Sequence, residues 1–217
     1  MIAAVCDLQD GAFLEFKVDD YEATASKIPP EVQARMKYSH QENELIGWDD
    51  LRYLRITYLD FNGNTQLGEM VIHKRLALDV MKIFQRIFVG KFPICQMRLI
   101  DDFGYEGISL EDLDKRSAEA NNTSAYCFRT ITGDPTRLSM HAGFAVDVNP
   151  LQNPYVKGEV VLPESGRAYL DRDKPAPGLI TRDDLVYEAF KELGWDWGGD
   201  WYTLKDFQHF EKARDNG

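Results

Sequence analysis

A chain of 217 residues has room for one domain of ordinary size or two very small ones, and it can bury enough apolar surface to fold without a disulfide or a metal. Hydrophobic residues make up 44% and charged residues 28%, the balance of a soluble globular protein and not of a disordered one. Acidic residues outnumber basic ones 36 to 25, and the resulting net charge of −11 argues against nucleic acid or an anionic membrane as a partner, because phosphate binding needs a basic face.

In chain order, residues 1–20 read as an irregular acidic arm with one apolar patch, Phe13 to Phe16. Met1 to Asp10 carries no Lys or Arg, so it is no secretion signal as it stands, and no apolar stretch reaches the length of a transmembrane segment. Pro29-Pro30 ahead of Glu31 to Met36 predicts a short helix with proline in its first turn. Leu51 to Leu59 alternates and predicts a strand, with Asp60 to Asn64 as a turn and Gln66 to His73 as the hairpin partner. Ala77, Val80, Met81, Phe84, Ile87 and Phe88 recur at helical spacing and predict an amphipathic helix over 75–89, stopped near Gly90 and Pro93.

Further along, Ile94 to Ile100 reads as a strand and Ser109 to Ala120 as a helix. Tyr126 to Thr132 and Phe144 to Val148 read as strands, and the proline-rich run Gln152 to Gly178 as a long surface loop. Thr181 opens a helix with Asp184 three residues on, Leu185, Ala189, Phe190 and Leu193 as its apolar stripe, and Gly194 as its stop. A last strand is expected around Trp201 to Leu204. Strands and helices mix without βαβ alternation, which predicts an α+β fold with a mainly antiparallel sheet.

Cys6, Cys95 and Cys127 are widely spaced and form no CxxC, which excludes a cysteine zinc knuckle or a thioredoxin-like site. Cys127 reads as a small buried apolar residue, and one disulfide stays open. The four histidines are His40, His73, His141 and His209. Asp147 follows His141 by six residues, which along a straight strand would span roughly 20 Å. Gly143 between them permits a tight turn that lets both side chains meet one ion. Asp206 precedes His209 by three residues, a spacing at which one group can bind metal while the other acts as base. His141, Asp147 and His209 then supply three donors of the types zinc takes and leave a fourth position for water. Asp206 would take that water's proton, and Arg129 would face the developing oxyanion. The same spacings also fit ordinary surface pairs and salt bridges.

The wording of these segments is more specific than their spacing. Leu138-Ser139-Met140-His141-Ala142-Gly143-Phe144-Ala145-Val146-Asp147 resembles the SxHxxGxAxD motif of zinc D-alanyl-D-alanine carboxypeptidases and L-alanyl-D-glutamate endopeptidases. Trp195 to Trp201, followed by Asp206-Phe207-Gln208-His209-Phe210, resembles the C-terminal signature of the same family, and Asn121 to Arg129 its arginine-bearing segment. The resemblance covers roughly residues 95 to 211, and residues 21–94 look like the N-terminal extension of one bacterial branch. It implies zinc ligands at His141, Asp147 and His209, a base at Asp206, an oxyanion-stabilising Arg129 and a supporting Ser139. It also implies the small α+β fold shared with the Hedgehog signalling domain, within one domain over 21–217. The implied partner is a peptidoglycan peptide with a D-residue beside the cleaved bond, which implies a site in the cell envelope or outside the cell. The chain departs from the motif in one place, because His141 and Asp147 are one residue closer than in the family pattern. That shortening motivates a second reading, a non-catalytic cell-wall peptide-binding module on the same scaffold.

Overall fold

The computed structural model describes residues 13–131 and 134–214. Four antiparallel strands open the chain in the spatial order β1 (Phe13–Val18), β2 (Tyr21–Ser26), β3 (Leu51–Leu59) and β4 (Thr65–His73). Strand β1 corrects the expectation of an irregular arm over its residues: all six pair with β2, and Leu14 and Phe16 pack against the core. Cys6 and the rest of the expected arm up to residue 12 lie outside the described residues.

The short helix α1 (Pro30–Arg35) has its proline at the first position, where a missing N–H costs nothing. Leu54, Ile56 and Tyr58 on one face of β3 are buried toward helix α2 (Ala77–Val89), which turns Val80, Met81, Phe84 and Ile87 inward. The Tyr21 hydroxyl donates to the Met81 carbonyl at 2.6 Å and ties β2 to that helix.

The second half uses shorter pieces. β5 (Gln96–Met97) and β6 (Asn122–Thr123) form the one parallel pair among the described strands. Only two residues of the run expected over Ile94 to Ile100 are strand, because a 3-10 turn begins at Ile100. There the Asp101 carboxylate accepts from the backbone N–H groups of Tyr38 and Ser39. Helix α3 (Leu110–Glu119) is capped by the Ser109 hydroxyl, which accepts from Asp112 N.

The strand expected over Tyr126 to Thr132 shrinks to β7 (Thr130–Ile131), paired with β8 (Asp134–Leu138). The preceding residues bond to separate segments instead of one ladder: Cys127 N donates to His141 O, and Phe128 N to Ser39 O. β9 (Ala145–Asp147) falls within its expected range. The expected surface loop contains the hairpin β10 (Tyr155–Lys157) and β11 (Val160–Leu162), turned at Gly158, and a 3-10 segment over Glu164–Tyr169.

Helix α4 (Leu185–Lys191) starts later than expected because Asp184 is itself the cap, accepting from Tyr187 N and Thr181 N. β12 (Asp196–Trp197), β13 (Lys205–Asp206) and β14 (His209–Glu211) complete the described chain. Trp201 to Leu204 forms no strand; the ladder with β10 falls on β13. The architecture is α+β, with two three-stranded sheets, β11-β10-β13 and β12-β14-β9, beside the first sheet.

One cluster of buried apolar side chains runs from Tyr21 through α2 and α4 to Phe210. Buried amides join its parts. Asn149 donates to Pro93 O and Gly178 O and accepts from Cys95 N, while Asn153 donates to Val148 O and accepts from Ile180 N. Cys127 is buried, and neither it nor the exposed Cys95 is in a disulfide. No helix among the described residues is long and apolar enough to cross a membrane.

His73 closes the first sheet. Its backbone N–H donates to Gly143 O at 3.0 Å, and its ring stacks on Phe144 at 4.6 Å. Burial pushes its pKa down to about 4 from 6.5, with Asp50 opposing and Lys74, Arg75 and Arg52 adding to the shift. A depressed histidine pKa favours the neutral ring, so its stabilising effect is present above 6.5 and is lost as pH falls toward 4. The melting temperature of His73→Phe, which keeps a ring against Phe144, is therefore expected to drop less than that of the wild type across this window.

Candidate metal centre

The site starts with a strand register. In the antiparallel pair β9–β14, His209 stands directly opposite Asp147, Phe210 opposite Val146 and Glu211 opposite Ala145. Alternation sends Val146 and Phe210 into the core, both fully buried, and turns Asp147, His209 and Glu211 to the other face. His209 Nδ1 lies 2.9 Å from Asp147 Oδ1. On its other edge β9 is held by Ser124, which exchanges two backbone hydrogen bonds with Asp147.

His141 comes from the turn before β9. Ala142 N donates to Ser139 O and Phe144 N to Met140 O, a reversal that Gly143 permits at a φ of +103°. The shortened interval closes: His141 Nε2 lies 3.2 Å from Asp147 Oδ2. His141 Nδ1 faces the Ala125 carbonyl at 2.9 Å and His209 Nε2 faces Glu211 Oε2 at 3.0 Å. Each imidazole thus keeps one nitrogen for the cluster and uses the other as a donor to an outer partner, the arrangement that orients metal-ligating histidines.

The three donor atoms lie within 4.8 Å of one another, and His141, Asp147 and His209 form the one group of this kind among the described residues. Each imidazole meets its own Asp147 oxygen, His141 Nε2 facing Oδ2 at 3.2 Å and His209 Nδ1 facing Oδ1 at 2.9 Å, so the carboxylate stands between the two rings. Two imidazole nitrogens and a carboxylate oxygen fit a first-row divalent ion.

Charge supports the same fit. Burial opposes ionisation of Asp147, yet the His141 and His209 rings outweigh it and hold this carboxyl well below the usual range. Burial also opposes a charged His209, yet the bonds to Asp147 and Glu211 push its pKa up to about 10. A proton on His209 therefore answers the two carboxylates, and a cation must compete with that proton.

Asp206 is half-buried at the end of β13, opposite Tyr155 of β10. Burial pushes its pKa up to about 7; the Asp147 charge adds, while His209, His141 and a 3.2 Å bond from Gln208 oppose. Gly198 lies against it so closely that an added Cβ would stand 2.5 Å from Asp206 O. Arg129 precedes β7 instead of lying in a strand, and its carbonyl accepts from Ser139 N. Its guanidinium is tied to Asp114 at 2.8 Å and to the Thr130 carbonyl. Burial lowers its pKa, but the Asp114, Asp147 and Asp206 charges are among those that raise it, and the net shift is upward. The Ser139 hydroxyl accepts from His141 N at 3.2 Å.

Sequence reasoning missed Glu211 and Asp114. Glu211 stands two residues after His209, a same-face spacing on a strand that would have signalled it. Asp114 lies on α3, remote in sequence, and left no such signal. Of the tryptophans in the C-terminal signature, Trp195 and Trp197 are core, while the Trp201 ring lies 5.5 Å from that of His209. His40 is half-buried and bonds the Tyr126 hydroxyl.

Residues 132–212 match the family model described as D-alanyl-D-alanine carboxypeptidase. The segment carrying the candidate metal centre is thus similar to that peptidase family. His141, Asp147, Asp206 and His209 lie inside the match, and Arg129 lies just before it. No curated protein and no solved structure matches the chain. The family is metal-dependent and implies a peptide substrate.

Gly143→Ala tests the turn. The added Cβ meets His73 Cβ and N at 3.3 Å in a backbone conformation that L side chains avoid. The expected cost is about 1–3 kcal/mol in urea unfolding, together with weaker metal binding in a chelator competition.

Proposed function

We propose that the protein is a zinc-dependent peptidase that hydrolyses bonds next to D-amino acids in peptidoglycan peptides, of the D-Ala-D-Ala carboxypeptidase or L-Ala-D-Glu endopeptidase type. The observation that carries this reading is the gathering of His141, Asp147 and His209 donors within 4.8 Å inside the family-matched segment. In the same reading the fold is that of the Hedgehog and DD-peptidase group, residues 21–94 are an N-terminal extension and residues 95–217 the zinc-site core of one domain. The protein then works in the cell envelope or outside the cell, where its substrate is found.

His141, Asp147 and His209 hold the ion, with the Ser139 hydroxyl fixing the His141 backbone. When bound, zinc supplies Lewis acidity at the scissile carbonyl and lowers the pKa of a water. Asp206 takes the proton of the attacking water and later returns it to the leaving amine. Arg129, oriented by Asp114, adds positive charge beside the developing oxyanion.

Zinc-loaded protein incubated with purified muropeptides is expected to give new fragments in mass spectrometry, whose masses identify the bond cut. Asp206→Asn is expected to slow cleavage by about 100-fold or more, and His209→Ala to lose both zinc and cleavage. Cleavage at full rate after removal of the metal would overturn the zinc mechanism, and binding of muropeptides without cleavage favours the peptide-binding module.

A further inference from the structure

We infer that Glu211 is a positioning residue of the metal centre, which fixes the His209 tautomer and raises its strength as a ligand; this rests on the metal reading given above. The His209 ring is held from both sides, with Nδ1 2.9 Å from Asp147 Oδ1 and Nε2 3.0 Å from Glu211 Oε2. A neutral imidazole has one N–H. A carboxylate at Nε2 accepts from that N–H and leaves the Nδ1 lone pair for the ion.

The strand builds this contact. His209 and Glu211 are two residues apart on β14, so they share a face, and the residue opposite Glu211 is Ala145, whose small side chain takes up little of it. Trp201, with its ring 5.5 Å away, packs beside the imidazole. The His209 side chain is 8% exposed and that of Glu211 29%, so the bond is shielded at the histidine end.

The two histidines differ in their outer partners. His141 donates to the neutral Ala125 carbonyl, whereas His209 donates to a full negative charge. A carboxylate acceptor makes an imidazole a stronger donor to a cation than a carbonyl does. Glu211 thus adds a second negative charge one ring away from the ion, behind that of Asp147.

The test is zinc affinity, read by competition with a chromophoric chelator, for wild type, Glu211→Gln and Glu211→Ala, with circular dichroism to verify the fold. Glu211→Ala is expected to bind zinc about 10–100-fold more weakly, and Glu211→Gln to fall between, because its amide oxygen still accepts from Nε2. A folded Glu211→Ala with affinity within about twofold of wild type would overturn the inference. If Glu211→Ala does not fold, long-range proton–nitrogen spectra of the zinc-loaded wild type decide. A proton on His209 Nε2 supports the inference, and a proton on Nδ1 overturns it. Wild type that binds no zinc sinks the metal reading itself, an outcome distinct from equal binding by wild type and variant.

Discussion

The site depends on one cross-strand pair, Asp147 opposite His209. Slippage of β14 by one residue would send His209 into the core and bring Phe210 to the surface. The core prevents that slip. Phe210 stacks on Phe190 of α4 at 3.9 Å and lies against Trp197, so moving it outward would undo the packing of three elements. The polar centre is thus positioned by apolar neighbours on the opposite face of the same two strands, and His141 joins through a turn that reaches only the edge of this pair.

Much of the first half was legible because its elements are long. Nine residues of alternation in β3 and thirteen of helical spacing in α2 give a period room to repeat. The second half builds strands of two or three residues, too short for any period, and its extended segments bond to several partners in turn. For that reason Tyr126 to Thr132 reads as a strand in sequence, yet Cys127 and Phe128 make single bonds to His141 and Ser39, and the hairpin at Tyr155 hides in a proline-rich run. The grouping of His141, Asp147 and His209 was legible through its donor types and motif wording. Asp114 was not, because the pairing of Arg129 with α3 depends on the tertiary path.

Electrostatics at the centre is local and does not follow the overall charge. Asp147, Asp206 and Glu211 gather near two imidazoles, and Arg129 is the nearby guanidinium whose pKa responds to Asp147 and Asp206. Asp114 neutralises part of Arg129 while holding its plane. Burial, with the Asp147 charge added, raises Asp206, and the bonds to Asp147 and Glu211 raise His209, so a single substitution among these groups shifts the others.

The contact between His73 and Gly143 bears on how such a site can be borrowed. The turn that carries His141 rests against the last residue of the first sheet through a backbone bond and an aromatic stack. A designer who cut out the segment from Ser139 to Phe210 and grafted it onto another scaffold would carry over the donors but leave their buttress behind. The centre is therefore poorly portable: its donors lie late in the chain, while part of its rigidity is contributed by a strand that ends at residue 73.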